Sequence, residues 1–148
     1  VSALAELRGP FGISRRKETK LAAGLIEAYE IRTSGMEKPV RFLSGGNQQK
    51  VIIGRAMKSR PRVLVFDEPT KGIDVGTKAE IYKLMNDLVR QGVCILMISS
   101  ELPEVLGMCD RILVMHEGRL AGELIRQEAT QEGIMRLATG AKSLTPCP

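Results

Sequence analysis

Two short, continuously apolar runs rich in β-branched residues, "RVLVF" at 62–66 and "VCILMIS" at 93–99, constrain this chain more than any other feature. Neither alternates apolar with polar residues, so each reads as a strand buried on both faces of a parallel sheet. Between them, Thr77 to Arg90 places Ile81, Leu84, Met85, Leu88 and Val89 on one helical face, and Gly92 stops the helix. Strand, crossover helix, strand is a βαβ unit, which makes the two strands parallel and the fold class α/β.

The other elements follow from periodicity and punctuation. Residues 1–13, with Gly9, Pro10 and Gly12, are poorly periodic and read as a linker or truncated segment. From Arg16 to Arg32, Leu21, Leu25, Ile26 and Tyr29 fall at helical spacing, and "TSGMEKP" breaks the pattern. A second helix, Asn47 to Lys58, starts at the "LSGG" turn. After the second strand, "LPEVLGM" predicts a short helix. "RILVMHEGRLAGEL" predicts a β-hairpin around Glu117-Gly118, and "TQEGIMRLATG" a helix opened by Thr130 and stopped by Gly140. The tail, residues 141–148, is expected to fray.

Composition excludes more than it assigns. Phe and Tyr make up the 3% aromatic content and Trp is missing, which leaves little to stack on single-stranded nucleic acid. The net charge of +5 includes the cluster Arg15, Arg16, Lys17 and Lys20, read as a solvated helix face; no nucleic-acid partner is expected. Cys94, Cys109 and Cys147 form no C-x-x-C pair, and Cys94 inside its strand reads as a small buried hydrophobe in a reducing compartment. No run approaches the ~20 apolar residues that span a bilayer. The sole histidine, His116, is expected at the surface of the hairpin turn. A chain that starts at Val1 rather than Met reads as a fragment or processed product.

Two short stretches carry candidate chemistry. Asp67 and Glu68 follow the first strand, at the carboxyl end where α/β sheets bind ligands. A carboxylate there can hold Mg²⁺ through water and phosphate, while its neighbour, pointing elsewhere by strand alternation, can face an attacking water. The plainer reading is a pair of acids at a "DEPT" turn. "LSGGNQQK" at 43–50 places Ser44 and two glycines at a helix start, where free N–H groups bind anions. The plainer reading there is that Ser44 is a helix N-cap.

Together, "LSGGNQQKVIIGRAM" and, a short spacer later, "RVLVFDEPTKGID" resemble the ATP-binding-cassette (ABC) ATPases from about Ser14 to Gly140. The resemblance implies a partial P-loop-type ABC ATPase core with flanking helices, part of the α-helical signature subdomain and a C-terminal β-hairpin. The helical subdomain would span about 14–58 and the Walker B core about 61–140. It implies ATP and Mg²⁺ as cofactors, with Asp67 as the Walker B aspartate holding the metal through water. Glu68 matches the catalytic glutamate that polarises the hydrolytic water. Ser44, Gly45, Gly46 and Gln48 match the signature turn and helix, which cap the γ-phosphate of ATP bound to another ATPase domain. Asp74 matches the D-loop aspartate.

Two departures from the family pattern bear on function. Ser100 stands where the family carries its switch histidine, and serine donates one hydrogen bond but carries no charge. The loop G-x-x-x-x-G-K-[ST] and the Gln-bearing loop after it are not in the 148 residues; both are expected upstream of Val1. The isolated chain is accordingly expected to show negligible ATPase activity. "LSGGNQQK", "DEPTKGIDVGTKAEIY" and "SSELPEVLGMCDRILVMHEGRLAGEL" together resemble the second ATPase half of the ribose/galactose/xylose-type sugar importers. That resemblance implies an ATPase at the cytoplasmic face of the membrane, coupled to permease subunits and indirectly to a sugar-binding protein. The alternatives are a non-catalytic module donating its signature turn to a partner ATPase, or an ATPase of the DNA-repair and chromosome-condensation type. The latter needs long coiled-coil arms, and the chain has no heptad run.

Overall fold

The computed structural model describes residues 8–9 and 12–140, and the chain divides after Ile98 into two compact units. In the first, β1 (Arg8–Gly9) and β2 (Gly12–Ile13) form a two-residue antiparallel pair inside the segment expected as a linker. Helix α1 (Arg15–Ala28) follows, capped by Ser14, whose hydroxyl accepts from the N–H of Lys17. The expected run to Arg32 is cut short. Glu30 adopts φ 49, its N–H donates to Glu27 O at 3.2 Å, and the N–H of Ile31 reaches back to Ile26 O at 2.9 Å. This is a Schellman stop built on a glutamate, with Ile31 buried just beyond it.

A single 3₁₀ turn at Val40–Phe42 leads into α2 (Gly45–Met57), which begins two residues before the expected Asn47. A Cβ at Gly54 would stand 2.9 Å from the ring of Tyr29 and 3.3 Å from Leu25, so α2 meets α1 at a position with no side chain. Strand β3 (Val63–Asp67), helix α3 (Val75–Arg90) and strand β4 (Cys94–Ile98) form the predicted βαβ unit. The strands are parallel, in register from Val63 opposite Cys94 to Asp67 opposite Ile98. Gly92, at φ 88, ends α3 as expected.

Burial on both strand faces is not observed. Phe66 of β3 is buried, as are Ile81, Met85 and Leu88 of α3. On the opposite face Val63 and Val65 remain 56% and 60% exposed, with Leu96, Ile98 and Cys94 exposed beside them. Among the described residues β3 and β4 pair with each other alone, and α3 lies against β4. The side chains of the second face are thus apolar by sequence but wet, and Cys94 is an exposed thiol rather than a buried one.

The second unit begins at Ser99. It contains α4 (Leu102–Met108), the hairpin β5 (Arg111–His116) and β6 (Arg119–Ile125), and α5 (Gln131–Ala138). Glu117 and Gly118 both take positive φ, 46 and 75, as a tight two-residue hairpin loop requires. Ile112, Val114 and Ile134 form the core with Val105, Leu124 and Leu137 around them. Thr130 caps α5 by accepting from Gly133 N at 3.0 Å, and Gly140, at φ 69, follows its end. His116 departs from expectation. It is half-buried, and its Nδ1 lies 2.7 Å from the carbonyl of Ala138; since a carbonyl only accepts, Nδ1 carries the proton. The frayed-tail expectation and Cys147 lie outside the described residues. Among those described, no helix is long and apolar enough to cross a membrane.

Candidate functional site

The acidic pair sits where β3 runs out. Asp67 is the last residue of the ladder and is exposed. Glu68 has already left the strand: its φ is 47, and its N–H donates to Ile98 O at 2.8 Å. A bulky residue in the left-handed region costs about 1 kcal/mol, and such positions cluster at functional sites. Two further turn bonds, Lys71 N to Glu68 O at 3.2 Å and Ile73 N to Thr70 O at 3.1 Å, wind the "EPTKGI" segment around the buried Thr70. The direction of Glu68 therefore comes from this turn rather than from strand alternation.

The segment ends at Asp74, the N-cap of α3. Its Oδ1 accepts from Thr77 N at 2.9 Å and its Oδ2 from the Thr77 hydroxyl at 2.8 Å. The Thr77 hydroxyl first, and its N–H second, hold the Asp74 carboxyl below the ordinary carboxylate range. Thr77 in turn meets the Ser44–Gly46 turn. A Cβ built on the buried Gly46 would lie 1.9 Å from Thr77 Cγ2, and one on Gly45 would lie 3.6 Å from Ile73. Two sequence-predicted pieces, the Ser44–Gly46 turn and the Asp74 region, are thereby brought together.

Ser44 occupies the N-cap position of α2 without capping it. No side-chain bond reaches the helix N–H groups; Ser44 Oγ instead accepts from Asn47 Nδ2 at 2.8 Å. The first-turn N–H groups of Gly45, Gly46 and Asn47 have no partner inside the helix, as at any helix start. Gln48 turns back on its own chain, donating to Leu43 O at 2.8 Å. Hydroxyl and N–H donors gathered at a helix start fit an anion such as a phosphate. The described residues hold no group of three or more potential metal ligands, so a metal at Asp67 would complete its shell from phosphate oxygens and water. One carboxylate suits Mg²⁺ bound in that way.

Sequence reasoning missed the support beneath this turn. Lys50, the last letter of "LSGGNQQK", is 4% exposed, and its Nζ donates to Glu80 Oε2 at 2.8 Å and Glu30 O at 3.2 Å. Glu80 also accepts from Arg32 at 3.0 Å. The Lys50 hydrogen bond, then its charge, pulls the Glu80 carboxyl below its ordinary value. One ion-pair cluster thus ties α2 to α3 and to the end of α1. The sequence-level signal was a lysine at a core-facing helical position, which needs a buried partner.

Ser100 belongs to the second unit, one residue after the Ser99 that opens it. Beside it, Ser99 donates a short hydrogen bond to the buried Glu104 and accepts from Glu101 N at 3.0 Å.

Residues 8–71 match the ABC transporter family. The chain is 57% identical over 128 residues to the ribose import ATP-binding protein RbsA of Oceanobacillus iheyensis, covering 86% of this chain and 26% of that protein. It is 53% identical over 141 residues to the xylose import ATP-binding protein XylG of Moorella thermoacetica, covering 94% and 28% respectively. The chain spans about a quarter of the length of these curated relatives. Among solved structures, an ATP-binding cassette of an ABC transporter matches with TM-score 0.72 at 25% identity, over 95% of this chain and 56% of that one. A nucleotide-free ATP-binding cassette matches with TM-score 0.70 at 25% identity, over 90% and 55%.

Proposed function

This chain belongs to the ABC transporter family of ATP-binding proteins, and on that premise we propose that it is part of the ATPase that drives import of a simple sugar. The observation that carries the reading is the 53–57% identity to ribose and xylose import ATP-binding proteins over 86–94% of the chain. In this reading the Ser44–Gly46 turn meets the terminal phosphate of ATP held by the lysine loop of another ATPase domain. Asp67 holds Mg²⁺, and Glu68 orients and polarises the hydrolytic water. When bound, Mg-ATP supplies the phosphoryl group and neutralises the charge that develops on it.

The chain's own residues then do four things. The first-turn N–H groups and the Ser44 hydroxyl donate to phosphate oxygens. Glu68, tied to the end of β4 by the bond from its N–H to Ile98 O, accepts a proton from water. Asp74, pinned to Thr77, keeps the turn that follows the acids against the signature turn that donates across the interface. Ser100 occupies the switch position, where it offers a neutral hydrogen bond in place of an imidazole.

The partners in this reading are a second ABC ATPase domain, fused or separate, and membrane permease subunits on whose cytoplasmic face the ATPase sits. A sugar-binding protein acts through the permease. The test is ATP turnover by the assembled transporter in vesicles, with and without loaded binding protein. Sugar-stimulated turnover that collapses with Glu68→Gln supports the proposal; turnover indifferent to both sugar and Glu68 rejects it.

A further inference from the structure

We infer that Asn47 is a positioning residue that makes the Ser44 hydroxyl a hydrogen-bond donor toward phosphate, an inference that rests on the function proposed above. The backbone N–H of Arg32 points at one terminal atom of the Asn47 amide, 2.8 Å away. A backbone N–H can only donate, so that atom is the oxygen and the other end of the amide is NH₂. The NH₂ lies 2.8 Å from Ser44 Oγ. Ser44 therefore accepts from Asn47 with a lone pair, which leaves its own proton to be given elsewhere. Among the described residues the Ser44 O–H has no acceptor.

The direction of one hydroxyl proton at the signature turn is thus set through Asn47 by the Arg32 N–H, which lies fifteen residues before Asn47 and just past the end of α1. That anchor is itself well held. The Arg32 guanidinium bonds Glu80 at 3.0 Å, Glu80 bonds the buried Lys50 at 2.8 Å, and Lys50 bonds Glu30 O at 3.2 Å. The Arg32 N–H follows directly on the Schellman stop at Glu30 and Ile31, so its aim is fixed by backbone hydrogen bonds. Asn47 is half-buried between these anchors, with both ends of its amide engaged.

The isosteric change Asn47→Asp reverses the arrangement. One carboxylate oxygen still accepts from Arg32 N–H, but the other accepts only, so the Ser44 hydroxyl turns to donate to it. The turn then loses a donor and gains a negative charge beside the anion.

The experiment is a double-mutant cycle in the assembled ATPase, with this chain paired to a domain that carries a G-x-x-x-x-G-K-[ST] loop. kcat and KM for Mg-ATP are measured for wild type, Ser44→Ala, Asn47→Asp and the double variant, with melting temperatures alongside. Each single change is expected to lower kcat/KM by about 10- to 100-fold. The double variant is expected to be no worse than the poorer single, and Asn47→Asp to melt within a few degrees of wild type. Such non-additivity separates positioning from a general structural defect, whose losses would multiply. A Ser44→Ala loss that multiplies with that of Asn47→Asp overturns the Asn47 role while leaving the phosphate contact standing. Wild-type turnover in Ser44→Ala removes the phosphate contact itself and this inference with it. Should Asn47→Asp not fold, Asn47→Ala enters the same cycle, with a smaller single loss and the same non-additivity expected.

Discussion

The N–H of Glu68 donates to the carbonyl of Ile98 at 2.8 Å, and this bond extends the β3–β4 ladder one step past Asp67 while Glu68 itself turns to φ 47. A carboxylate proposed to act on water is thus held by main chain that depends on no feature of its side chain.

Glu68→Gln should therefore leave the fold untouched and remove the proton acceptor. In the assembled ATPase, turnover is expected to fall by at least about 100-fold with Mg-ATP still bound. Glu68→Gly should be as inactive and yet no less stable. Relief of the left-handed backbone, about 1 kcal/mol, offsets the extra chain entropy of glycine, about 0.5–1 kcal/mol. Calorimetry and a single-turnover assay read the two effects separately.

Gly46 and Thr77 offer a compensating pair. The methyl of Gly46→Ala would stand 1.9 Å from Thr77 Cγ2, so the α2–α3 contact must open, at a cost of roughly 1–3 kcal/mol. Thr77→Ser deletes that methyl and keeps the hydroxyl that bonds Asp74. The double variant should recover most of the loss in a denaturation series; failure to recover would place the strain elsewhere.

The two halves of the Lys50–Glu80 pair should respond unequally. Glu80→Ala strands an ammonium whose side chain is 5% exposed and should cost about 2–4 kcal/mol. Lys50→Met replaces the buried charge with an apolar chain of similar length and leaves a carboxylate with water access and Arg32 beside it. Its cost is expected at about 1 kcal/mol. Urea unfolding of both variants decides the order, and a larger loss for Lys50→Met would contradict the burial argument.

Asp74 and Glu80 make the fold acid-sensitive. Both carboxyls titrate below their unfolded values, Asp74 through its bonds from Thr77 and Glu80 through Lys50. Their contribution is complete above the ordinary carboxylate range of about pH 4 and drains away as pH falls through the lowered folded values. The acid limb of a stability–pH curve should be shallower in Glu80→Gln than in wild type, with no difference in slope above pH 6.

Much of this molecule was legible from neighbouring letters. The βαβ unit, the Gly92 stop, the Glu117-Gly118 loop and the Thr130 cap all rest on periodicity or on the backbone preference of one or two residues. The motif pair "LSGG" and "DE" marked the candidate site for the same reason, since helix starts and strand ends are local events. Glu30 and Glu68 were not legible as left-handed residues, because glutamate has no preference for that region. Glu30 is held there by the bonds of its own N–H to Glu27 O and of the Ile31 N–H to Ile26 O, and Glu68 by the bond of its N–H to Ile98 O.

Longer-range contacts decided the rest. That Asn47 would face the Arg32 N–H, that Lys50 would find Glu80 thirty residues away, and that Gly46 would abut Thr77 depend on how three helices pack. The apolar runs at 62–66 and 93–99 declared strands by composition alone, but which face is covered depends on what lies against them. Here Phe66 is buried while Val63 and Val65 of the same strand stay exposed. A side chain carries its own hydrophobicity in the sequence; its burial belongs to its neighbours in space.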